Sequence, residues 1–264
     1  KVYQGDSAKL MKEIPDGFID LTVTSPPYDN LRDYKGYSFD FETIAKELYR
    51  VTKEGGVVVW VVGDATINGS ETGTSFRQAL FFMTIGFNLY DTMIYSKAGF
   101  QYPSLDRYHQ TFEYMFVFSK GKPNTINLLK DKKNNYNRRG GDIKRQKDGT
   151  MKKGNNSGLP LEEYGQRYNV WYYKIGGGNV TKDNFAYTHP AMFPEDLAKD
   201  HILSWTNEKD LVFDPFAGSG TTLKMAKLMN RNYLGFEIAK EYISIINKRL
   251  GQETVFAFCL EGKL

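Results

Sequence analysis

With a single cysteine, Cys259, the chain of 264 residues can form neither an intramolecular disulfide nor a multi-cysteine zinc site, which suits a reducing, intracellular compartment. Histidine is nearly as scarce: His109, His189 and His201 lack metal-ligand spacing, so no metal centre is expected. No apolar run approaches membrane-spanning length, and the start KVYQGDSAKL is too charged for a signal peptide; lacking an initial Met, it is expected to miss a few residues. Internal repeats and coiled-coil heptads are absent. A strong excess of either charge is missing too, since the net charge is only +4, although its distribution is uneven. What remains is an ordinary globular composition, 41% hydrophobic and 25% charged, and a length that predicts one domain carrying an insertion.

Short apolar runs bounded by Gly, Pro and Asp alternate with helical patterns, which predicts βαβ units, a mostly parallel twisted sheet and helices on both faces. Strands are expected at Phe18 to Thr24, Gly56 to Val62, Asn88 to Tyr95, Phe112 to Ser119, Leu211 to Asp214 and Asn232 to Glu237. Apolar residues at three- and four-residue spacing predict helices at Phe39 to Thr52, Ser75 to Thr84, Glu195 to Trp205, Thr221 to Met229 and Lys240 to Leu250.

From Lys120 to Lys182 the pattern breaks. Fifteen Lys and Arg gather there with Gly and Asn clusters and interleaved tyrosines. Two readings stand: a long solvated loop, or a nucleic-acid surface whose Lys and Arg neutralise phosphates while Arg, Asn, Gln and Tyr reach base edges.

LVFDPFAGSGTTLKMAK, Leu211 to Lys227, reads as a strand, a glycine turn and a helix. Glycine lets a ligand approach the backbone, and free amides at a helix start attract negative charge. The Lys-Ser/Thr pair of a phosphate loop is missing, and the spacing is not that of a dinucleotide fingerprint. Glu237 follows about twenty residues after the glycines, where an acidic side chain in doubly wound folds grips ribose hydroxyls. A ribose carboxylate without a phosphate feature predicts a nucleoside bearing an amino acid, which S-adenosylmethionine fits.

TVTSPPYDNLRDY, Thr22 to Tyr34, stiffens the backbone directly after a strand. Two prolines fix φ and remove two N–H donors, leaving a rigid run whose free carbonyls can only accept hydrogen bonds. The natural guest is an amino group: Ser25 and the Pro26 carbonyl accept its hydrogens and Tyr28 stacks on the ring that carries it. Accepting both hydrogens favours a pyramidal nitrogen whose lone pair faces an incoming electrophile, a catalysis of orientation and electrostatics.

TSPPY together with DPFAGSGTT resembles the amino-methyltransferases that act on DNA, and the order, proline motif about 190 residues before the glycine motif, is similar to their permuted beta class. HPAMFP (His189 to Pro194), Gly5-Asp6, GGVVVWVVGD ending at Asp64 and HQTFEYMFVFSK from His109 match further motifs of that family. The resemblance implies a Rossmann-like S-adenosylmethionine-dependent methyltransferase fold over residues 1–119 and 183–264, with residues 120–182 as target-recognition insertion. It implies a bacterial or archaeal cytoplasmic enzyme with double-stranded DNA as partner, and a restriction endonuclease of the same site as a candidate companion. Ser25, Pro26, Pro27 and Tyr28 would hold a base flipped from the stack. Asp214, Phe216, Ala217, Gly218, Ser219, Gly220 and Thr221 would wrap the methionine part of the cofactor, Glu237 its ribose and Asp6 its adenine, with Pro190, Met192 and Phe193 closing over it. Arg32, Tyr34, Arg138, Arg139, Lys144 and Arg145 are the candidate DNA contacts.

Ser before the prolines accompanies cytosine-N4 methylation in that family, and Asp accompanies adenine-N6; Ser25 favours cytosine, with adenine as alternative. Carbon-5 methylation requires a thiolate, and Cys259 in AFCLEG lacks the Pro-Cys context and reads as a small buried hydrophobe. An RNA methyltransferase or a non-catalytic DNA-binding protein are the other readings. Reversing the charges of Arg138 and Arg139 is expected to lower DNA affinity and flatten its salt dependence in a binding titration; unchanged binding would return the segment to the solvated loop.

Overall fold

The computed structural model describes residues 1–27, 39–97, 99, 105–136, 143–153, 159–176, 178–189 and 191–252. Tyr28, Arg32, Tyr34, Arg138, Arg139, Pro190 and Cys259 lie outside the described residues. The chain divides into two compact units, Lys1–Asn127 with Asn169–Leu264, and Leu128–Tyr168.

The larger unit is built on eight strands: β1 (Val2–Gln4), β2 (Ile19–Thr24), β3 (Thr52–Val62), β4 (Asn88–Lys97), β5 (Phe112–Ser119), β6 (Val170–Tyr173), β7 (Leu211–Asp214) and β8 (Asn232–Glu237). Their order is β1-β8-β7-β2-β3-β5-β4-β6. β5 runs antiparallel to β3 and β4, and the other neighbours pair in parallel. The helices are α1 (Ser7–Leu10), α2 (Phe41–Val51), α3 (Thr74–Thr84), α4 (Glu195–Trp205), α5 (Thr221–Leu228) and α6 (Lys240–Leu250). Among the described residues, no helix is long and apolar enough to cross a membrane.

Alternation along the strands explains the two layers of helices. On one face of β3, Val58, Trp60 and Val62 meet Ile44, Ala45 and Leu48 of α2 and Ala79 and Phe82 of α3. Asp40 starts α2 by accepting from the Thr43 amide at 3.2 Å. The indole N–H of Trp60 donates to Gln78 at 2.8 Å, so the polar atom of the largest buried side chain is satisfied. On the other side of the sheet, α4 presents His201 to the Trp171 ring at 4.6 Å and to Met115 Sδ at 3.3 Å, while Trp205 donates to its Nδ1 at 3.3 Å. His201 is therefore a core residue.

β3 begins four residues before the expected Gly56, because Ile19 already pairs with Thr52 ahead of a register shift. The inserted unit is narrower than the expected 120–182. Lys120 donates to Tyr49 O and Thr52 O beside the sheet, and Val170–Tyr173, partnered by β4, forms the sheet's outer strand. Val170 and Tyr172 face solvent there while Trp171 and Tyr173 are buried, so four residues carry too short an alternation to stand out from their basic surroundings.

The smaller unit is held by short antiparallel pairs, Ile143–Arg145 with Met151–Lys153 and Lys132–Lys133 with Tyr164–Gly165. Arg167 binds Asp131 in a bidentate pair that holds the carboxyl below its ordinary range. The Lys132 ammonium lies 4.4 Å from the Tyr168 ring centre. At the hairpin turn Asp148 accepts from the Thr150 amide at 2.9 Å. This leaves Lys144 and Arg145 on an exposed strand.

Phe82 is sealed from solvent, stacked 4.6 Å from Phe118 and edge-on to Trp60 at 5.1 Å. Phe82→Ala is expected to lower unfolding free energy by about 3–5 kcal/mol in denaturant titration, and a loss below about 1 kcal/mol would remove it from the core.

Candidate active site

β2 and β7 are parallel neighbours whose onward connections diverge: β2 leads to β3 on one side, β7 to β8 on the other. Such a switch point leaves a crevice at the carboxyl ends of the strands. The larger unit opens there into a cleft of about 2150 Å³. It is lined by Ser25, Pro26 and Pro27 after β2, by Asp214, Phe216, Ala217, Gly218, Ser219 and Thr221 after β7, and by Glu237 at the end of β8. Asp6, Met192 and Phe193 line the same cleft.

The turn after β7 is held from three sides. The Thr24 hydroxyl donates to Asp214 Oδ1 at 2.7 Å, and the Phe216 amide donates to the same oxygen at 3.0 Å. The Gly218 amide donates to Glu237 Oε2 at 2.8 Å, and the Ala239 amide to Oε1 at 2.8 Å. The Thr222 hydroxyl donates to Val23 O at 3.0 Å, tying the start of α5 to β2. Two left-handed residues make the bend: Gly218 at φ +53 and Gly220 at φ +82. A Cβ on Gly218 would stand 2.8 Å from His189 Nε2, so this position also lets the HPAMFP segment approach the turn. Gly220 caps α5 against Ile246 and is the one described turn residue among the candidates that does not line the cleft.

Burial pushes the Asp214 carboxyl up to about 6. Hydrogen bonds from Thr24, Phe216 and Thr222 oppose the shift, and the charge of Glu237 adds to it. Burial likewise raises Glu237, against its backbone hydrogen bonds. Two carboxyls that are costly to ionise favour a cationic guest, which would restore a partner to each charge. Each oxygen of Glu237 takes one amide, and a carboxylate has about four acceptor sites, which leaves capacity for ligand hydroxyls. From Asp214 to Thr221 the turn bears acidic, aromatic and hydroxyl side chains and no cation, as a ligand without phosphate requires. Asp6 Oδ1 accepts from the Ala8 amide at 2.8 Å, and the Gly5 amide donates to Glu237 O at 2.9 Å, placing Asp6 beside β8.

Several contributors escape a motif reading. Thr24 sits inside TSPPY but acts through Asp214, 190 residues away. Phe39 lines the cleft and meets Phe216 edge-on at 5.3 Å. Asp64 ends the GGVVVWVVGD motif, which does not show its partner: it accepts from the Ser75 amide in the first turn of α3 at 2.9 Å. Arg249 lies beneath Ser219. Its one legible signal is spacing: Tyr242, Ile246 and Arg249 recur at four and three residues along α6, on one stripe. Lys144 and Arg145 are not among the residues of the cleft; they belong to the smaller unit.

A family model described as DNA methylase, for N6 and N4 methyltransferases, matches residues 19–248. The chain is 60% identical over 257 residues to the orphan methyltransferase M.BamHII of Bacillus amyloliquefaciens, covering 96% of this chain and 97% of that one. It is 30% identical to the type II methyltransferase M.BglII of Bacillus subtilis, over 96% of this chain and 69% of that one. Among solved structures, the cytosine-N4-specific PvuII DNA methyltransferase superposes with a TM-score of 0.70 at 22% identity, over 97% of this chain and 87% of that one. The complex of M1.HpyAVI with S-adenosylmethionine gives 0.63 at 21%, over 96% and 99%. At these identities the structures establish the fold.

An acid raised from 3.8 to about 6 binds a proton in the folded state that the unfolded chain has released. Its contribution to stability is full below about pH 4 and lost as pH rises through about 6. Asp214→Asn keeps an acceptor for Thr24 and Phe216 and removes the titration. Above pH 7 the variant is expected to exceed the parent by up to about 3 kcal/mol, converging near pH 4. Denaturant unfolding at pH 4 and pH 8 measures this, and a difference independent of pH would contradict it.

Proposed function

The chain belongs to the N6/N4 DNA methylase family, and on that premise we propose that it transfers a methyl group from S-adenosylmethionine to the N4 amine of a cytosine flipped out of DNA. The observation that carries this reading is that Ser25, Pro26 and Pro27 share one cleft with the glycine turn, joined one residue away by the Thr24–Asp214 hydrogen bond of 2.7 Å.

S-adenosylmethionine supplies an electrophilic methyl on a sulfonium. In this reading Asp214 and the turn from Phe216 to Thr221 hold its amino-acid part, Glu237 the ribose and Asp6 the adenine edge, with Met192 and Phe193 on the cleft wall. The two buried carboxyls, each costly to ionise alone, complement the ligand's positive charge. Ser25 Oγ and Pro26 O accept from the target amine, and Pro27 keeps the backbone between base and cofactor rigid. Tyr28 stacks on the base. The chain thus contributes orientation and a water-poor, prearranged set of acceptors rather than a nucleophile. Ser25 in place of Asp is what favours cytosine over adenine.

DNA recognition is assigned to the unit Leu128–Tyr168. Lys144 and Arg145 on its exposed hairpin, with Arg138 and Arg139 earlier in the segment, suit phosphate and base-edge contacts, and Arg32 and Tyr34, which follow the proline run in sequence, are further candidate DNA contacts. M.BamHII bears the description orphan and M.BglII the description type II. The orphan description, at twice the identity, favours a methyltransferase that acts without a partner endonuclease, and the type II description favours one that shares its site with such a partner.

Incubation with unmodified bacterial DNA and methyl-labelled S-adenosylmethionine, then mass spectrometry of the nucleosides, tests the reading. Label is expected on the cytosine amine in the parent and to fall at least tenfold in Ser25→Ala. Label on adenine would transfer the assignment to N6.

A further inference from the structure

Beneath the glycine turn lies a charge cluster that neither motif contains. Arg249, near the end of α6, has a side chain wholly removed from solvent. Its Nη1 donates to Ser219 O and Oγ, both at 3.0 Å, and to Thr221 Oγ1 at 3.1 Å. Its Nε donates to Asp183 at 2.9 Å, and its Nη2 to Glu195 at 2.5 Å and Thr181 Oγ1 at 3.3 Å. Lys224 of α5 reaches the same two carboxylates, each at 2.8 Å. Two cations therefore balance two anions, and the guanidinium alone among the four side chains also bonds the turn.

Buried ion pairs add little net stability, because desolvation offsets attraction; what they supply is a defined geometry. A planar fork can address a backbone carbonyl on one edge and carboxylates on another, which a lysine point charge cannot do from one position. The carboxylate edge leads to the stretch from Thr181 to Glu195, whose His189, Met192 and Phe193 line the cleft. A Cβ on Gly218 would stand 2.8 Å from His189 Nε2, so the same two walls approach each other a second time, at Gly218, beside the residues that Arg249 bonds.

We propose that Arg249 is a positioning residue for the cofactor: it locks the glycine turn to the Thr181–Glu195 stretch and so sets the shape of the S-adenosylmethionine pocket. The inference rests on reading the glycine turn as the cofactor site. Arg249→Lys, which keeps the charge, and Lys224→Met, which removes a partner of the same carboxylates without an ammonium bond to the turn, separate positioning from stability. Cofactor Kd by calorimetry, kcat at saturating cofactor and Tm are measured on each full-length protein, with Glu237→Ala in parallel. Arg249→Lys is expected to raise Kd at least tenfold while kcat at saturation stays within threefold. Lys224→Met is expected to lower Tm comparably with Kd within threefold. Equal weakening in both, scaling with the loss of Tm, overturns positioning in favour of a structural role. Unchanged Kd in Arg249→Lys but not in Glu237→Ala overturns the proposal alone; unchanged Kd in both overturns the cofactor-site reading itself.

Discussion

The Thr24–Asp214 hydrogen bond joins the carboxyl ends of two parallel strands at the point where the chain's connections part. A crevice at a switch point is a consequence of topology, but its two walls come from segments almost two hundred residues apart and need a fixed register. Thr24 on one strand and Asp214 on the other supply that register, and Ser25 and the glycine turn begin at those same residues. The Thr222–Val23 bond repeats the constraint one layer below. Without it, the proline run after β2 and the glycine turn after β7 would be two surfaces rather than one cleft.

Burying Asp214 and Glu237 is unfavourable in isolation, as their raised pKa values record. Both carboxyls take hydrogen bonds from backbone amides of the turn, so the same burial that costs stability makes the turn rigid. The Arg249 cluster serves the opposite side in another way: its charges balance within the cluster, and it bonds the turn through Ser219 and Thr221. The glycine turn is thus braced by acceptors in front and by a donor behind. The unit Leu128–Tyr168, by contrast, is held by surface contacts such as Arg167–Asp131, as suits a part whose exposed basic residues meet solvent or a ligand.

Six of the eight strands were legible as apolar runs bounded by Gly, Pro and Asp, and the five longer helices because each buries a periodic apolar face. β1, with three residues, and β6, with four, carry too little pattern; they exist because the sheet edge supplies hydrogen bonds, which is a property of the neighbours. The motif residues of the cleft were legible for a different reason: a proline pair and a glycine turn restrict the backbone locally, and local restriction can be read locally. Thr24 and Arg249 were hidden, since their significance lies in partners distant along the chain. Arg249 in particular reads as a favourable charge in the last turn of a helix.

By itself, then, the sequence determined the α/β class, the strand-turn-helix with its glycine turn, and the stiff proline run after β2, because hydrophobic patterning and restricted φ act within a few residues. The tertiary structure alone decided that these two stretches form one cleft, that Asp214 and Glu237 are buried deeply enough to shift their ionisation, and that an arginine from the last described helix supports the turn. Burial, register and the pairing of buried charges depend on which elements become neighbours, and that is settled by packing across the whole sheet.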